Sequence, residues 1–167
     1  MPEAAAGYAL PWEWTARYGI RRFGFHGLSV DHAVTRATTQ LGTLPARLVV
    51  CHLGSGCSVT AVADGRSVDT TMGFSPLEGL MMATRAGSVD PGLLLHLQLR
   101  HGLDPATLRD TLAYRSGLLG VSGVSGDLRV VALAMDRGDA RATLAYERFV
   151  LSVRRAIGQM SGVLGGV

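Results

Sequence analysis

One block near the middle of the chain constrains the fold more than any other part of the sequence. It begins with the short apolar run Leu48–Leu53, which is typical of a buried strand. After a glycine-containing turn, Ser58–Ala63 alternates in polarity as a second strand would, and Arg66–Met72 predicts a third. Asp64 and Gly65 between these two are a strong hairpin signal, because both residue types tolerate the positive φ of a tight turn. The block therefore predicts a three-stranded antiparallel meander.

The sequence around this block favours helices. We expect helices over about 29–40, 77–84, 91–101, 105–115, 128–136 and 140–160. Ser29 or Asp31 is the expected N-cap of the first helix, and Gly42 ends it. Asp90 and Asp104 each stand before a proline, which places a capping acid ahead of a first-turn proline. Together with the meander, these helices predict an α/β half-domain.

The remaining segments are predicted without regular structure or with little of it. Residues 1–25 are expected to connect to another part of a fold and to contain one short helix. Gly117–Gly126 is rich in glycine and serine and is predicted as a loop. Asp127 and Asp139 are the expected N-caps of the two helices that follow it. Both ends of the chain are expected to cut through a fold.

Composition narrows the function classes. The 167 residues are 47% hydrophobic and 17% charged, which excludes a disordered chain. The formal net charge is +3, and every one of the 16 Lys or Arg residues is arginine. Phosphate would therefore be bound by guanidinium groups and backbone N–H groups rather than by a lysine. The arginines are scattered without interleaved aromatic residues, which argues against a nucleic-acid partner.

The start of the chain and the cysteines bear on its compartment. Met1–Ala6 shows no export signal, and no apolar stretch approaches the roughly 20 residues of a membrane span. We therefore expect a cytoplasmic protein without a membrane partner. Cys51 and Cys57 would stay reduced there, and they lack the neighbouring ligands of a zinc site. Both are predicted as small core or turn residues.

Several candidate residues for anion chemistry have plain structural alternatives. The turn at His52–Gly56 could cradle an anion with its N–H groups, or could be an ordinary tight turn with a core histidine. His26 could donate to a phosphoryl oxygen or be structural. Arg85 could hold an oxyanion or be a solvated arginine. Asp127 and Arg129 could contact a ribose or purine edge, or form a helix N-cap with an outward arginine.

The acids leave the choice of a general base open. Asp69, Glu78 and Asp90 are all candidates, and nothing in their spacing selects one. Their role is therefore left to the structure.

In order along the chain, these segments resemble the acetate kinase family, which includes acetate, propionate and butyrate kinases. The matching motifs are Ala9–Trp14 with Tyr18–Gly27, His52–Gly56, Met72–Arg85, Ser88–Pro91 and Gly117–Gly123. The resemblance covers essentially the whole chain. It implies the actin-like ATPase superfamily, whose two RNase H-like domains close around ATP. Residues 1–28 would be the segment between the domains, and residues 29–167 most of the second domain.

The resemblance also implies roles for particular residues. His26 and Arg85 match the family's catalytic histidine and arginine, which stabilise the transferring phosphoryl group. The two side chains are therefore expected to lie together, facing the Gly54–Gly56 turn. Phe25 and Pro76 match the walls of the small apolar pocket for the acetate methyl group. The nucleotide would be bound by His52, Leu53, Gly54, Ser55, Gly56, Asp127, Leu128 and Arg129. Ser55 stands where the family pattern has Asn, and Ala83 where it has Gly.

Other parts of the family pattern have no counterpart in the sequence. These are a catalytic aspartate, a second substrate arginine and the ligands of Mg²⁺, so no metal ligand is assigned to this chain. The expected function is reversible transfer of the γ-phosphate of ATP to acetate, with the chain inactive alone. The alternatives are a propionate or butyrate kinase fragment, a non-catalytic nucleotide-binding or dimerisation module, and an unfolded remnant. The resemblance further implies a homodimer through this domain.

Overall fold

The computed structural model describes residues 1–167, which form eight helices and one three-stranded sheet. The strands are β1 Arg47–Leu53, β2 Cys57–Ala63 and β3 Arg66–Thr70. The helices are α1 Glu3–Ala6, α2 Trp12–Tyr18, α3 Gly27–Leu41, α4 Pro91–His101, α5 Pro105–Tyr114, α6 Gly117–Ser122, α7 Leu128–Asp136 and α8 Ala140–Val163.

The sheet is the predicted antiparallel meander, with strand order β1-β2-β3. Leu53 pairs with Cys57 across the first turn, and Ala63 pairs with Arg66 across the second. Asp64 has a φ of 47° and Gly65 a φ of 76°, which is the backbone that this hairpin turn requires. The α/β fold class inferred from the sequence is confirmed.

Helices cover both faces of the central strand, so β2 is buried along almost its whole length. On one face, Val59 and Ala61 belong to the main core, where they meet Phe149 and Met160 of α8. On the other face, Val62 packs with two valines of α3 in a smaller cluster. Each large apolar side chain buried in this way stabilises the fold by about 1.5–3 kcal/mol. The alternation of β2 therefore places it between two helical layers.

Four aspartates begin helices as the sequence predicted. The side chains of Asp90, Asp104, Asp127 and Asp139 each accept a hydrogen bond from a backbone N–H in the first turn that follows. Each such bond satisfies a donor that the helix itself leaves unpaired, which stabilises a helix by about 1 kcal/mol.

The N-cap prediction for α3 was wrong. The helix begins at Gly27, and its N-cap is His26 in the left-handed conformation with a φ of 64°. Neither Ser29 nor Asp31 caps it. The hydroxyl of Ser29 is instead hydrogen-bonded to the ring of His52, so a tertiary contact replaces the local cap. Gly42 ends the helix in the left-handed conformation, as expected.

The predicted helix over 77–84 was also wrong, because this segment consists of turns and bends. Gly79 has a φ of 111°, and a Cβ built there would lie 2.8 Å from the carbonyl oxygen of Thr71. The chain therefore passes too close to the end of the sheet for a regular helix. Leu80 and Met82 that follow are buried in the main core.

The predicted loop over 117–126 is helical in its first half, where α6 forms. Leu118 donates its backbone N–H to the carbonyl of Met82, and its side chain is buried. Packing of these residues against the core overrides the weak helix propensity of glycine and serine.

The two cysteines have different surroundings. Cys57 is buried in the core, as predicted, and burial raises the pKa of its thiol to about 11. Cys51 is exposed, so its assignment as a core or turn residue was wrong. It lies on β1, an edge strand that only β2 shields within the sheet. No helix of the chain is long and apolar enough to cross a membrane.

Candidate active site

His26 lies at the start of α3 with its ring against the sheet. Its Nδ1 atom is 2.9 Å from the hydroxyl oxygen of Ser58, a fully buried residue of β2. The left-handed backbone of His26 turns the chain sharply into the helix at this point. A non-glycine residue in this conformation is uncommon and is found often at functional sites.

His52, near the end of β1, lies directly beside this ring. The two imidazoles stack with their centroids 3.9 Å apart and their planes 15° from parallel. The Nδ1 atom of His52 is 2.9 Å from the hydroxyl oxygen of Ser29 in α3. Both rings are therefore tied through Nδ1, which leaves each Nε2 directed elsewhere.

The turn between β1 and β2 lies over the Nε2 atoms. Gly54 donates its N–H to the carbonyl of Gly56, which closes the turn at 3.1 Å. A Cβ built on Gly54 would lie 3.3 Å from Nε2 of His52, and one built on Gly56 would lie 3.6 Å from Nε2 of His26. The glycines therefore keep the space beside both imidazoles open.

Arg85 reaches the same place from a different part of the chain. Its Nη1 atom would lie 3.1 Å from the Cβ built on Gly56. The guanidinium is held by a hydrogen bond from Nη1 to the carbonyl of Pro76 at 3.4 Å. None of the three ion pairs in the chain involves Arg85. Its charge is therefore available to an anion beside His26 and Gly56.

The turn is braced against the segment that carries Arg85. The backbone N–H of Ala83 donates to the carbonyl of Ser55 at 3.2 Å. The N–H of Met82 donates to the carbonyl of Arg85 at 3.1 Å. These bonds fix the distance between turn and guanidinium without using the hydroxyl of Ser55, which stays exposed.

The electrostatics of the cluster favour a neutral His26. Desolvation lowers the pKa of His26 from its ordinary value of 6.5, and the neighbouring His52 and Arg85 lower it further. A neutral imidazole still has one N–H to donate. The arrangement therefore supplies one fixed positive charge at Arg85 and neutral donors around it.

Asp127 and Arg129 stand at the start of α7, where the side chain of Arg129 is 88% exposed. Asp127 caps the helix through the N–H of Arg129 and pairs with its guanidinium at 2.6 Å. Hydrogen bonds from Arg129 lower the pKa of Asp127 to about 2, and the pKa of Arg129 is raised in return. Gly126 contacts Ala83, since a Cβ built on it would lie 3.3 Å from that methyl group. Leu128 packs against the main core.

Phe25 and Pro76 lie on the two segments that flank the guanidinium. Phe25 precedes His26 and is partly exposed, and Pro76 supplies the carbonyl to Arg85. The rings of Phe23 and Phe74, each two residues upstream, pack with their centroids 5.8 Å apart. The structure thus brings these two segments together beside Arg85.

The three acids left open by the sequence all have structural partners. Asp69 is buried and pairs with Arg22 at 3.0 Å. Glu78 accepts a hydrogen bond from the hydroxyl of Tyr8, and Asp90 caps α4. None of them is free in this structure to act as a general base.

Three residues that organise the site, Ser58, Tyr8 and Arg22, were not singled out from the sequence, and a fourth, Ser29, was expected only as a helix cap. Ser29 and Ser58 bind the histidines, while Tyr8 and Arg22 tie residues 1–28 to the end of the sheet. Their partners are far away in the chain, so no local spacing could have indicated them.

The side chains of this chain offer few ligands for a metal ion. No group of three or more His, Cys, Asp or Glu residues in the chain could hold a metal ion. The carboxylates of Asp69, Glu78 and Asp127 are already bonded to Arg22, Tyr8 and Arg129. The residues of this chain therefore do not fit a magnesium site by themselves.

A large cavity of the chain lies elsewhere. It has a volume of about 900 Å³ and is lined by Arg22, Glu78 and residues of α6 and α8. Neither histidine of the cluster and no residue of the Gly54–Gly56 turn borders it. Volume alone would therefore have pointed away from the cluster.

Comparisons with known proteins agree with the geometry. The sequence matches the Acetokinase family over residues 1–167. An acetate kinase of Synechococcus sp. (strain JA-2-3B'a(2-13)) is 56% identical over 162 residues, which are 96% of this chain and 40% of that protein.

Solved structures show the same relationship. The crystal structure of Porphyromonas gingivalis acetate kinase matches with a TM-score of 0.97 and 41% identity, over 100% of this chain and 42% of that one. A propionate kinase from Francisella tularensis subsp. tularensis SCHU S4 matches with a TM-score of 0.92 and 39% identity, over 96% of this chain and 41% of that one. The chain thus spans about two fifths of the length of these relatives. The chain belongs to the Acetokinase family.

Proposed function

We propose that this chain carries the phosphoryl-binding part of an acetate kinase, which transfers the γ-phosphoryl group of ATP reversibly to acetate. One observation carries the proposal: Nε2 of His26 and Nη1 of Arg85 meet at the open side of Gly56. These two groups come from segments distant in sequence and have no carboxylate partner at that point. A tetrahedral anion is the ligand that such donors suit.

The physical chemistry of phosphoryl transfer supports this assignment. The reaction needs little covalent help from the protein, and it depends on positioning and on stabilising charge at the equatorial oxygens. Arg85 would neutralise part of that charge, and His26 would donate a hydrogen bond to one oxygen. Backbone N–H groups and the hydroxyl of Ser55 in the turn would hold the neighbouring phosphate.

The remaining roles follow from position around this point. His52, Leu53 and Gly54 would complete the nucleotide-binding turn. On the adenosine side, the contacts would come from Asp127, Leu128 and Arg129, which the Gly126–Ala83 contact keeps near the turn.

The acceptor pocket would be walled by Phe25 and Pro76. An apolar pocket that is one methyl group deep favours acetate over longer acids, by about 1–3 kcal/mol per methylene. The ring of Phe25 and the ring of Pro76 can supply apolar surface without a charge that would compete with Arg85.

Magnesium, when bound to the nucleotide, neutralises phosphate charge in such reactions. The residues of this chain do not form a site for it by themselves. We further propose that residues 1–28 connect two domains, that residues 29–167 belong to the second, and that the protein is a cytoplasmic homodimer.

The chain alone is expected to have no appreciable kinase activity, because the cluster lacks a catalytic carboxylate and ligands for a metal ion. The test is acetyl phosphate formation from ATP, acetate and Mg²⁺ by purified residues 1–167. Turnover near that of a complete acetate kinase would contradict this expectation.

A chimera tests the proposed function itself. Residues 1–167 replace the corresponding two fifths of the Synechococcus relative, and acetyl phosphate formation is measured. We expect activity in the chimera and a loss of about a hundredfold or more in kcat for Arg85→Gln. Arg137→Gln, at the exposed end of α7, is the matched control. A folded chimera in which Arg85→Gln is fully active would refute the assignment.

A second candidate is the same chemistry on propionate, because a propionate kinase shares the fold with a TM-score of 0.92 and 39% identity. The ratio of kcat/KM for acetate and propionate in the chimera separates the two. A non-catalytic nucleotide-binding module is distinguished by calorimetry, since it would bind ATP with the chain alone. Circular dichroism with a cooperative melt distinguishes both from an unfolded remnant.

A further inference from the structure

We propose that Ser58 sets the tautomer of His26. Its buried hydroxyl donates to Nδ1, so that the single proton of the neutral ring is on Nε2, the nitrogen beside Gly56. The consequence for phosphoryl transfer rests on the proposed function, whereas the tautomer itself does not.

The hydroxyl hydrogen of Ser58 needs an acceptor inside the protein. Ser58 is fully buried in β2, so no solvent reaches it. Its oxygen lies 2.9 Å from Nδ1 of His26, and this is the one hydrogen bond that its side chain makes. A buried donor without an acceptor carries a free-energy penalty comparable to a lost hydrogen bond.

Only one orientation of this bond leaves no buried hydrogen unpaired. If Nδ1 of His26 carried the proton, Ser58 would accept it, and the hydroxyl hydrogen would have no acceptor. If Ser58 donates, the lone pair of Nδ1 accepts and the ring proton is on Nε2. The second arrangement is therefore favoured.

The surroundings of His26 keep the ring neutral, which gives the tautomer its meaning. The groups that face it are the ring of His52 from β1, the guanidinium of Arg85 and the hydroxyl of Ser58. No carboxylate is among them. Desolvation and the two basic neighbours lower the pKa of His26, so the neutral form predominates at neutral pH.

The position of Nε2 makes the tautomer relevant to anion binding. Nε2 would lie 3.6 Å from a Cβ at Gly56, on the side where Arg85 also points. With its proton there, His26 adds a donor beside the guanidinium. With the proton on Nδ1, the ring would present a lone pair to the same place and would repel a phosphoryl oxygen.

The second histidine–serine pair does not have this constraint. Ser29, the partner of His52, is exposed at the start of α3, so water can accept its hydroxyl hydrogen. Ser29 can then donate or accept without penalty. The two pairs have the same 2.9 Å distance, and burial alone distinguishes them.

The test is ¹⁵N NMR of the imidazole nitrogens in the unaltered chain, at a pH where the histidines are neutral. The His26→Gln variant assigns the signals, and exposed His32 in the same spectrum is the reference. We expect Nε2–H to exceed Nδ1–H at His26 by about tenfold or more. A ring with the proton mainly on Nδ1 would overturn the proposal, whether or not any variant folds.

Serine variants give a second, independent test of the tautomer. Ser58→Ala removes the donor, and the tautomer ratio of His26 should fall to that of His32. Ser67→Ala, on the exposed side of β3, and Ser29→Ala should leave the ratio at His26 unchanged. A folded Ser58→Ala chain with an unchanged ratio would also overturn the proposal. If the tautomer is as expected but the chimera transfers no phosphoryl group, the proposed function fails while the role of Ser58 stands.

Discussion

The imidazole rings of His26 and His52 stack 3.9 Å apart, although one begins a helix and the other lies in a strand. Each ring binds a serine of the opposite layer. His26 of α3 contacts Ser58 in the sheet, and His52 of the sheet contacts Ser29 in α3. Two histidine–serine contacts therefore join the start of α3 to the sheet, and the candidate site lies beside these contacts.

The pKa of His26 predicts how stability depends on pH. The unfolded chain takes up the proton near pH 6.5, whereas the folded chain does so at a lower pH. The unfolded state thus binds more protons in this window. The free energy of unfolding should fall as the pH is lowered from 6.5 to the folded pKa of His26. Urea denaturation at successive pH values measures this fall.

Two variants make this prediction specific. His26→Gln should remove its part of the pH dependence, while His32→Gln, exposed on α3, should keep it. An unchanged slope in His26→Gln would show that another group is responsible.

Gly56→Ala should impair the anion site without unfolding the chain. The new methyl group would lie 3.1 Å from Nη1 of Arg85, so the guanidinium must shift by a few tenths of an ångström. Displacement of catalytic groups by about 1 Å can cost a hundredfold in rate. We expect kcat/KM of the chimera to fall by about tenfold or more, with a stability change within about 0.5 kcal/mol. Gly162→Ala, where a Cβ meets nothing within 4 Å, is the control.

Gly73→Ala should destabilise the attachment of the N-terminal segment. A Cβ there would overlap the carboxylate of Glu78 and the hydroxyl of Tyr8, which are bonded to each other. Forced rearrangement in a packed site costs typically 1–3 kcal/mol. Chemical denaturation measures the loss, and a smaller effect in a Tyr8→Phe background would locate the clash.

Gly158→Ala, in open space within α8, should instead stabilise the chain by up to about 1 kcal/mol.

Removing one partner of the buried ion pair between Arg22 and Asp69 should destabilise the fold more than replacing both partners with apolar residues. The side chains retain 14% and 11% of their exposure, and Arg22 also donates to the carbonyl of Thr70. Removing one partner leaves the other charge buried, which costs about 3–5 kcal/mol. Asp69→Ala should therefore destabilise more than the double variant Arg22→Met with Asp69→Leu. Equal losses in the single and double variants would argue against a coupled pair.

Local patterns in the sequence determined much of the secondary structure. Alternation across Ser58–Ala63 and the Asp64-Gly65 turn specified the meander, because strand period and turn chemistry act between near neighbours. The aspartate N-caps are equally local, since each bonds to an N–H within three residues. The family resemblance marked His26 and Arg85 from ordered motifs.

Tertiary packing decided the rest. Residues 77–84 form turns because Gly79 passes against Thr71, and Gly117 begins a helix because the core accepts Leu118. Neither contact can be read from the local pattern of apolar and polar residues.

The sequence by itself determined which residue types could bind an anion, and it placed His52 and the glycine turn at the end of the first strand. The family resemblance implied that His26 and Arg85 face the Gly54–Gly56 turn, but only the tertiary structure decided that a buried serine faces one histidine while an exposed serine faces the other. The physical reason is that hydrogen bonding and burial at this site depend on contacts between residues far apart in the chain, which periodicity and spacing do not encode.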